Sequence, residues 1–386
     1  MNRVTIDLHA LKHNLGTIKG WMDQHPATWT VVTKVLCGHA DTLRALQVLG
    51  VRSMGDSRLE NLEAIDRIVP DFESWYVRVS DLSSVAKVAR FADVSLNSEV
   101  EVIRSLNDEA KKLDRIHKII IMIELGDLRE GILPGSLVKF YERVFELPNV
   151  EVLGIGANLG CLAGAVPNVD QFTQLALYRE LLELKFHRKL PMISAGSSAV
   201  LPLLLEGKLP RAINHFRIGE AIFLGTDLVN GGSLPTLRND VVLLDAEIAE
   251  IKEKGLVPLS ETAVMTPFDS ESDESLSPGQ RGYRALVSVG QLDTEIGGLT
   301  PVDPRHRIAG ASSDITVVNL GDDPNGLQIG GTIRFRVNYA AMLRLMSSKY
   351  IAKIVIPSLS EFKETLETDR QEIMPAVESL EQQTSG

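Results

Sequence analysis

The sequence predicts an α/β protein: a TIM-like (β/α)8 barrel followed by a mostly β carboxy-terminal domain. Three observations carry that expectation. Up to Gly225, short apolar runs of strand length alternate with helix-length amphipathic stretches, the signature of parallel βα units. Beyond Gly225 the texture changes to short β-type runs separated by Gly, Pro and Asp. Polar residues that are costly to bury stand at the carboxyl ends of the apolar runs, the end of a barrel strand that carries functional groups.

Taken in order, Val4 to Leu8 reads as a short alternating strand and Ala10 to Trp21 as an amphipathic helix. Strand-like runs follow at Val31–Lys34, Ser53–Gly55, Trp75–Val77, Asp93–Leu96, Ile119–Glu124, Val152–Gly156, Met192–Ser194 and Asn214–Phe216. Between them, DTLRALQVLG, SRLENLEAIDRIV and QFTQLALYRELLELK carry apolar residues at helical period. Eight such strands is the count of a closed barrel. From Val241 the runs VVLLDAEIAEI, YRALVSVG, ITVVNL and TIRFRV indicate a small β barrel or sandwich. The acidic, Ser/Gly-rich DSESDESLSPGQRG reads as a mobile loop, and the acidic tail after Ile356 as a surface helix with a frayed end. The expected division is a barrel over 9–235 and a β-rich domain over 236–386, which strand 1–8 joins.

Bulk properties narrow the function. The 386 residues are too many for one ordinary domain, and 44% hydrophobic with 24% charged residues is a globular composition. A net charge of −11 without a basic stretch disfavours nucleic acid. No apolar run reaches membrane-spanning length, and MNRVTIDLHALKHNL lacks the apolar core of a signal peptide. Two distant cysteines, Cys37 and Cys161, form no disulfide framework and point to a reducing compartment, so a cytoplasmic protein is expected.

Three constellations carry chemistry. Lys34 closes WTVVTK; burial disfavours an ammonium and frees the amine to attack a carbonyl, although an isolated strand-end lysine more often reaches out to solvent. In SAGSSAVLPLLL, the residues Ser194, Gly196, Ser197 and Ser198 precede an apolar helical run, an arrangement that offers hydroxyls and backbone N–H groups to a phosphate or else simply caps the helix. Arg129 in ELGDLREG and Arg217 in HFRIGE are permanent donors at strand ends, suited to an anionic ligand or to a salt bridge with Asp127, Glu130 or Glu220. A Schiff-base lysine, a phosphate cradle and strong donors in one barrel mouth fit pyridoxal 5′-phosphate.

With TKVLCGH, IELGDLREG, GIGANLGC, SAGSSAV, FRIGEAIFLG, VGQLD and GASSD in this order over nearly the whole length, the chain resembles the alanine racemase family. ELGDLREG and INHFRIGEAI are closer to its ornithine-racemase branch. The resemblance implies a (β/α)8 barrel with a carboxy-terminal β domain, and a homodimer whose active sites are shared between subunits. It makes Lys34 the residue that bonds the cofactor aldehyde and shuttles one proton. Ser198 and the backbone of Gly219 and Glu220 would hold the phosphate, Arg129 would lie near the phenolic oxygen, and Asn158 would replace a family histidine near the ring. Arg217 would face the pyridine nitrogen and, keeping its own proton, leave that nitrogen unprotonated. The implied reaction interconverts L- and D-amino acids.

One departure matters. Family members carry a tyrosine proton carrier in the stretch matching VGQLD, where this chain has Gln291, and Tyr283 stands at the wrong point of the motif. A second base would then come from Cys161, His39, Cys37, Asp293 or Asp314, with Cys161 ranked slightly ahead of His39 and Asp293. Gln291 also keeps open a lyase or decarboxylase on the same scaffold. A non-catalytic cofactor carrier and a cofactor-free lysine aldolase are the remaining rivals.

Overall fold

The computed structural model describes residues 1–160, 164–257, 277 and 279–368. The chain runs β1 (Arg3–Asp7), α1 (Leu8–Gln24), β2 (Thr28–Val32), α2 (Ala40–Val48), β3 (Ser53–Asp56), α3 (Leu59–Ile68), β4 (Glu73–Tyr76), α4 (Val85–Phe91), β5 (Val94–Asn97), α5 (Val100–Lys112), β6 (His117–Met122), α6 (Leu137–Val144) and β7 (Val150–Gly156). It continues through α7 (Val169–Phe186), β8 (Met192–Ser197), α8 (Leu201–Leu205), β9 (His215–Ile218) and α9 (Glu220–Leu224). The last stretch holds β10 (Val242–Gly255), β11 (Arg281–Val287), β12 (Leu299–Pro301), β13 (Arg307–Ala311), β14 (Thr316–Gly321), β15 (Thr332–Val337), α10 (Tyr339–Ser347) and β16 (Ala352–Ile356). These elements fall into two compact units, one of Lys12–Leu43 with Gly50–Asn239, the other of Met1–Leu11, Arg44–Leu49 and Asp240–Gly386.

The first unit is a closed parallel barrel in the order β2-β3-β4-β5-β6-β7-β8-β9. It closes where β9 pairs with β2, in the register Thr28↔His215, Trp29↔Phe216, Thr30↔Arg217 and Val31↔Ile218. The strands are apolar on both faces because helices cover the outside and side chains fill the inside. Trp75, Val94, Leu96, Ile120 and Met122 form a buried cluster on β4, β5 and β6, each removing about 1.5–3 kcal/mol worth of apolar side chain from water before entropy is counted. Asn168 caps α7 reciprocally with Gln171, whose Nε2 also donates to the Leu125 carbonyl at 2.7 Å. Gly154 on β7 is glycine by necessity, since a Cβ there would stand 1.8 Å from the Met192 carbonyl oxygen of β8.

The eight barrel strands expected from the sequence are present, with ends shifted by a few residues. One shift touches the site. The run read as Val31–Lys34 ends at Val32; Thr33 turns at φ −95°, ψ 0°, and Lys34 opens a 3-10 turn to Leu36 rather than closing the strand.

The second unit is a mixed sheet with the path β12-β15-β10-β11-β14-β13, extended by β1 and β16. β1 pairs antiparallel with β10 and parallel with β16, so the first strand of the chain is built into this sheet. VVLLDAEIAEI, YRALVSVG, ITVVNL and TIRFRV correspond to β10, β11, β14 and β15, whereas the short β12, β13 and β16 and the helix α10 went unread. Residues 359–368 are helical, as expected for the tail, but the helix is not merely superficial: Phe362 is fully buried and stacks edge-on against His9 at 5.4 Å. The end of the tail, and most of DSESDESLSPGQRG, lie outside the described residues.

Candidate active site

The carboxyl ends of β2, β6, β7, β8 and β9 bring together most of the residues singled out in the sequence. At their centre is Arg217, which is almost wholly buried. Its Nη1 donates to the Ser194 carbonyl and hydroxyl oxygens on β8, and its Nη2 donates to the Ala157 carbonyl at 3.0 Å and to Asn158 Oδ1 at 2.6 Å. Asn158 Nδ2 in turn donates to Glu130, whose other carboxylate oxygen meets Arg129 Nε at 2.8 Å. Two arginines, an asparagine and a glutamate, from the loops after β6 and β7 and from strand β9, thus form one continuous polar network. The salt bridge considered for Arg129 is real, and Glu130 is its partner.

The network runs on behind Arg217. Ser194 Oγ is 2.8 Å from His215 Nδ1, His215 Nε2 is 3.1 Å from Thr30 Oγ1, and Thr30 Oγ1 is 2.8 Å from Ser53 Oγ. Arginine cannot accept a hydrogen bond, so the Ser194 hydroxyl accepts from Arg217 and gives its own proton to His215 Nδ1. The imidazole therefore carries its proton on Nε2 and donates to Thr30. Burial, assisted by the Arg217 charge, lowers the His215 pKa to about 3, so the ring is neutral; it stacks on Trp75 at 4.4 Å and 12°. Sequence reading missed His215, yet the signal was there: in NHFR it stands two residues before Arg217, on the same strand face.

Lys34 and Glu220 occupy adjoining strand ends. Gly219 lies against β2, where a Cβ would come 3.0 Å from the Val32 carbonyl oxygen. Thr33, just before Lys34, is anchored by its hydroxyl to the Gly55 carbonyl at 3.2 Å and to Asp56 Oδ2 at 3.0 Å. Asp56 is fully buried; desolvation pushes its carboxyl up against the hydrogen bonds from Arg58, Asn61 and Thr33 that favour its ionised form. Desolvation likewise raises the Glu220 carboxyl to about 7, and the Lys34 charge acts in the opposite sense.

The Ser/Gly segment divides its labour. Ser194 is committed to Arg217 and His215. Gly196 is glycine because the Phe216 ring lies where a Cβ would go, 2.1 Å away. The Ser198 hydroxyl accepts the Ala221 N–H at 3.2 Å and so ties the loop after β8 to α9. Ser197 Oγ is buried and makes no hydrogen bond among the described residues. A buried hydroxyl with unused capacity, beside the turn that opens α9, fits an anionic ligand such as the phosphate of pyridoxal 5′-phosphate.

The candidates for a second base are scattered. His39 Nδ1 pairs with Thr42 Oγ1 at 2.8 Å, and Cys37 is exposed with φ 48° at the end of the Lys34–Leu36 turn. Cys161 lies outside the described residues. In the second unit, VGQLD and GASSD meet: Gln291 N donates to the Ser312 carbonyl at 3.0 Å, Leu292 N to that of Ser313 at 2.9 Å, and Gly290 N to Asp293 Oδ2 at 3.1 Å. Asp314 accepts from the Ser312 and Ser313 hydroxyls at 3.1 and 3.3 Å. Tyr283 lies upstream, on β11. Among the described residues, no group of three or more His, Cys, Asp or Glu could hold a metal ion, and no helix is long and apolar enough to cross a membrane.

Residues 6–227 match the family model described as the alanine racemase N-terminal domain. Over 352 residues the chain is 34% identical to ornithine racemase of Acetoanaerobium sticklandii, covering 91% of this chain and 98% of that protein. It is 30% identical over 357 residues to lysine racemase of Thermotoga maritima, covering 92% and 99%. Among solved structures it resembles the alanine racemase of Bartonella henselae with covalently bound pyridoxal phosphate, at 16% identity and a TM-score of 0.67, covering 92% of this chain and 99% of that one.

Proposed function

The chain belongs to the alanine racemase family, and from that premise we propose that it is a pyridoxal 5′-phosphate-dependent racemase of a basic amino acid, ornithine or lysine. The substrate class is supported by the ornithine and lysine racemases, which align with this chain over almost their whole lengths. One observation carries the site: a permanently charged arginine, Arg217, is buried in the barrel beside the strand end that presents Lys34.

When bound, pyridoxal 5′-phosphate supplies an aldehyde for an amine and a conjugated ring that spreads negative charge left at Cα. Lys34 Nζ would hold the cofactor through its aldehyde and would move a proton at the substrate Cα. The Ser197 and Ser198 hydroxyls, with the backbone N–H groups at Gly219 and Glu220, would hold the phosphate. Arg217, held by four acceptors, would offer the ring nitrogen a donor that never gives up its proton, and so would leave that nitrogen unprotonated. Arg129, fixed by Glu130, and Asn158 would help orient the ring. Cys161, His39 or Asp293 would carry the second proton. We place the enzyme in the cytoplasm as a homodimer in which each copy completes the other's site.

Protein purified with the cofactor should be yellow, and borohydride followed by peptide mapping should place the label on Lys34. Chiral chromatography should show D-ornithine or D-lysine accumulating from the L-form, with alanine a poorer substrate. A label on another lysine, or yellow protein that racemizes none of the three, would sink the reading.

A further inference from the structure

His215 and Arg217 stand two apart on β9 and so share one face of the strand. Ser194 on β8 reaches both: its hydroxyl accepts from Arg217 Nη1 and lies 2.8 Å from His215 Nδ1. β8 bulges at this point, carrying one residue more than β9, with Ser194 opposite His215 and Gly196 opposite Phe216. Bulges of this kind re-aim side chains beside functional sites.

The bonds leading from Arg217 form a chain with one direction. Arg217 donates to Ser194, Ser194 donates to His215 Nδ1, and His215 Nε2 donates to Thr30 Oγ1 at 3.1 Å. Thr30 has its own proton left for Ser53 Oγ at 2.8 Å. Every lone pair in the chain faces toward the Arg217 charge and every proton away from it, the sense in which successive bonds polarise one another. Four neutral oxygens hold the two Nη groups: the Ser194 and Ala157 carbonyls, the Ser194 hydroxyl and the Asn158 amide. Backbone fixes the carbonyls, and Glu130 fixes the amide. The hydroxyl alone among these four can rotate, and His215 Nδ1 is what holds it. The imidazole cannot turn either, because both nitrogens are bonded and the ring lies on Trp75, whose Nε1 donates to Glu73 Oε2 at 2.8 Å.

We propose that His215 is the positioning residue of Arg217, acting through the Ser194 hydroxyl: by accepting that proton it turns an oxygen lone pair to Nη1 and fixes the plane of the guanidinium. Without the acceptor, the hydroxyl can turn its proton toward the arginine; one of the two bonds of Nη1 is then lost and the guanidinium gains freedom to turn. What Arg217 does to a bound cofactor rests on the racemase reading above, but the coupling of the three side chains does not.

The coupling is therefore tested first by NMR on the purified full chain, isotope-labelled in its histidine and arginine nitrogens. His215 Nδ1 should resonate as an unprotonated imidazole nitrogen and Nε2 as a protonated one. Arg217 should show separate Nη1 and Nη2 resonances, because rotation about its Nε–Cζ bond is blocked. In His215→Leu these two should broaden and draw together. In His215→Asn, where Oδ1 can accept from Ser194 and Nδ2 can donate to Thr30, they should stay apart. If His215→Leu does not fold, Ser194→Ala makes the same cut with a smaller change. Arginine resonances unmoved by the loss of either side chain would overturn the proposal, whatever the enzyme's substrate. In the cofactor-loaded enzyme, His215→Leu should lower kcat for ornithine by about 10-fold, the scale of one hydrogen bond to a charged group, with KM held, and a larger share of turnovers should end in keto acid. His215→Asn should restore most of both. An Asn variant as slow as the Leu variant would also overturn the proposal, since the acceptor for Ser194 would not be what matters. Loaded protein that racemizes no amino acid would sink the racemase reading, and the arginine resonances would still decide the coupling.

Discussion

Glu124 and Glu220 each stand two residues past the end of a barrel strand, β6 and β9, yet their surroundings drive them to opposite states. Past β6 the chain folds back on itself. Glu124 accepts N–H bonds from Gly126, Leu128 and Arg129, and the Ile132 N–H returns to the Met122 carbonyl. Burial would raise the Glu124 carboxyl, but those bonds outweigh it and hold the group below the ordinary carboxylate range. Past β9 the chain enters α9 at once, and Glu220 is left with burial on one side and Lys34 on the other. Equivalent positions on one scaffold therefore yield a fixed anion that organises a loop and a carboxyl balanced near neutrality. What separates them is whether the loop supplies backbone donors.

The largest expected effect lies on the β9 side. Lys34→Ala should abolish racemization, by at least about 10³-fold as judged by chiral chromatography, because the group that moves the proton is gone. The loop around Glu124 should be untouched, so thermal unfolding should stay close to that of the parent. A variant that unfolds early would show Lys34 to be structural and dissolve the contrast.

Arg217→Gln comes next. It removes a charge held by the Ser194 and Ala157 carbonyls, the Ser194 hydroxyl and Asn158, and leaves buried acceptors without donors. A stability loss of about 1–3 kcal/mol in urea unfolding is expected, with activity down by about 10²-fold. Arg217→Glu should be slower still and should favour side reactions such as transamination, since a carboxylate there would help protonate the ring nitrogen. Full activity in either variant would assign Arg217 to the scaffold alone.

Much of this was legible beforehand for physical reasons. Barrel strands are buried on both faces and read as apolar runs, so all eight appeared, and the residues after them, Lys34, Arg129, Asn158 and Arg217, were conspicuous because charge and amide are expensive there. β12, β13 and β16 did not show: three to five residues of mixed polarity carry too little periodicity. Glu130 was visible only as a nearby acid, because bridging Arg129 to Asn158 depends on loops meeting in space. His215 was passed over because a histidine on a strand looks like core until its two nitrogens are given partners. Gly196 was conspicuous in its Ser/Gly run, but the Phe216 ring that leaves no room for a side chain there comes from the neighbouring strand and could not be read locally.

His215 belongs with Glu124 on the fixed side of the contrast, and the pH dependence of stability tests that. Its pKa falls from 6.5 to about 3, and that of His117, also by burial, to about 4. As pH drops below 6.5 the unfolded chain binds protons that the folded chain refuses, so stability should fall with falling pH down to the folded values. Each histidine contributes up to about 1.4 kcal/mol per pH unit inside that window. Urea unfolding of His215→Asn should show a shallower slope than the parent between those limits, by close to one proton. An equal slope would mean that His215 charges within the folded barrel, and the proton order deduced for Ser194 and Thr30 would be wrong.

The smallest effect is expected at Glu124 itself. Glu124→Gln keeps an oxygen for one or two of the backbone N–H groups but loses the charge and the second acceptor oxygen. The site is partly exposed, so the cost at neutral pH should stay within about 1 kcal/mol. Its pH dependence has a definite sign. A carboxyl whose folded pKa is depressed stabilises above the ordinary value of 4.5, and that contribution is lost as pH falls through the folded value. The gap between parent and variant should therefore be widest near neutrality and should close in acid, as measured by urea unfolding in both conditions. The pH profile of activity should not move, because the loop's anion takes part in no proton transfer. If Glu124→Gln displaced that profile, the loop's anion would not be fixed, and the presence of backbone donors would no longer explain which carboxyl is poised.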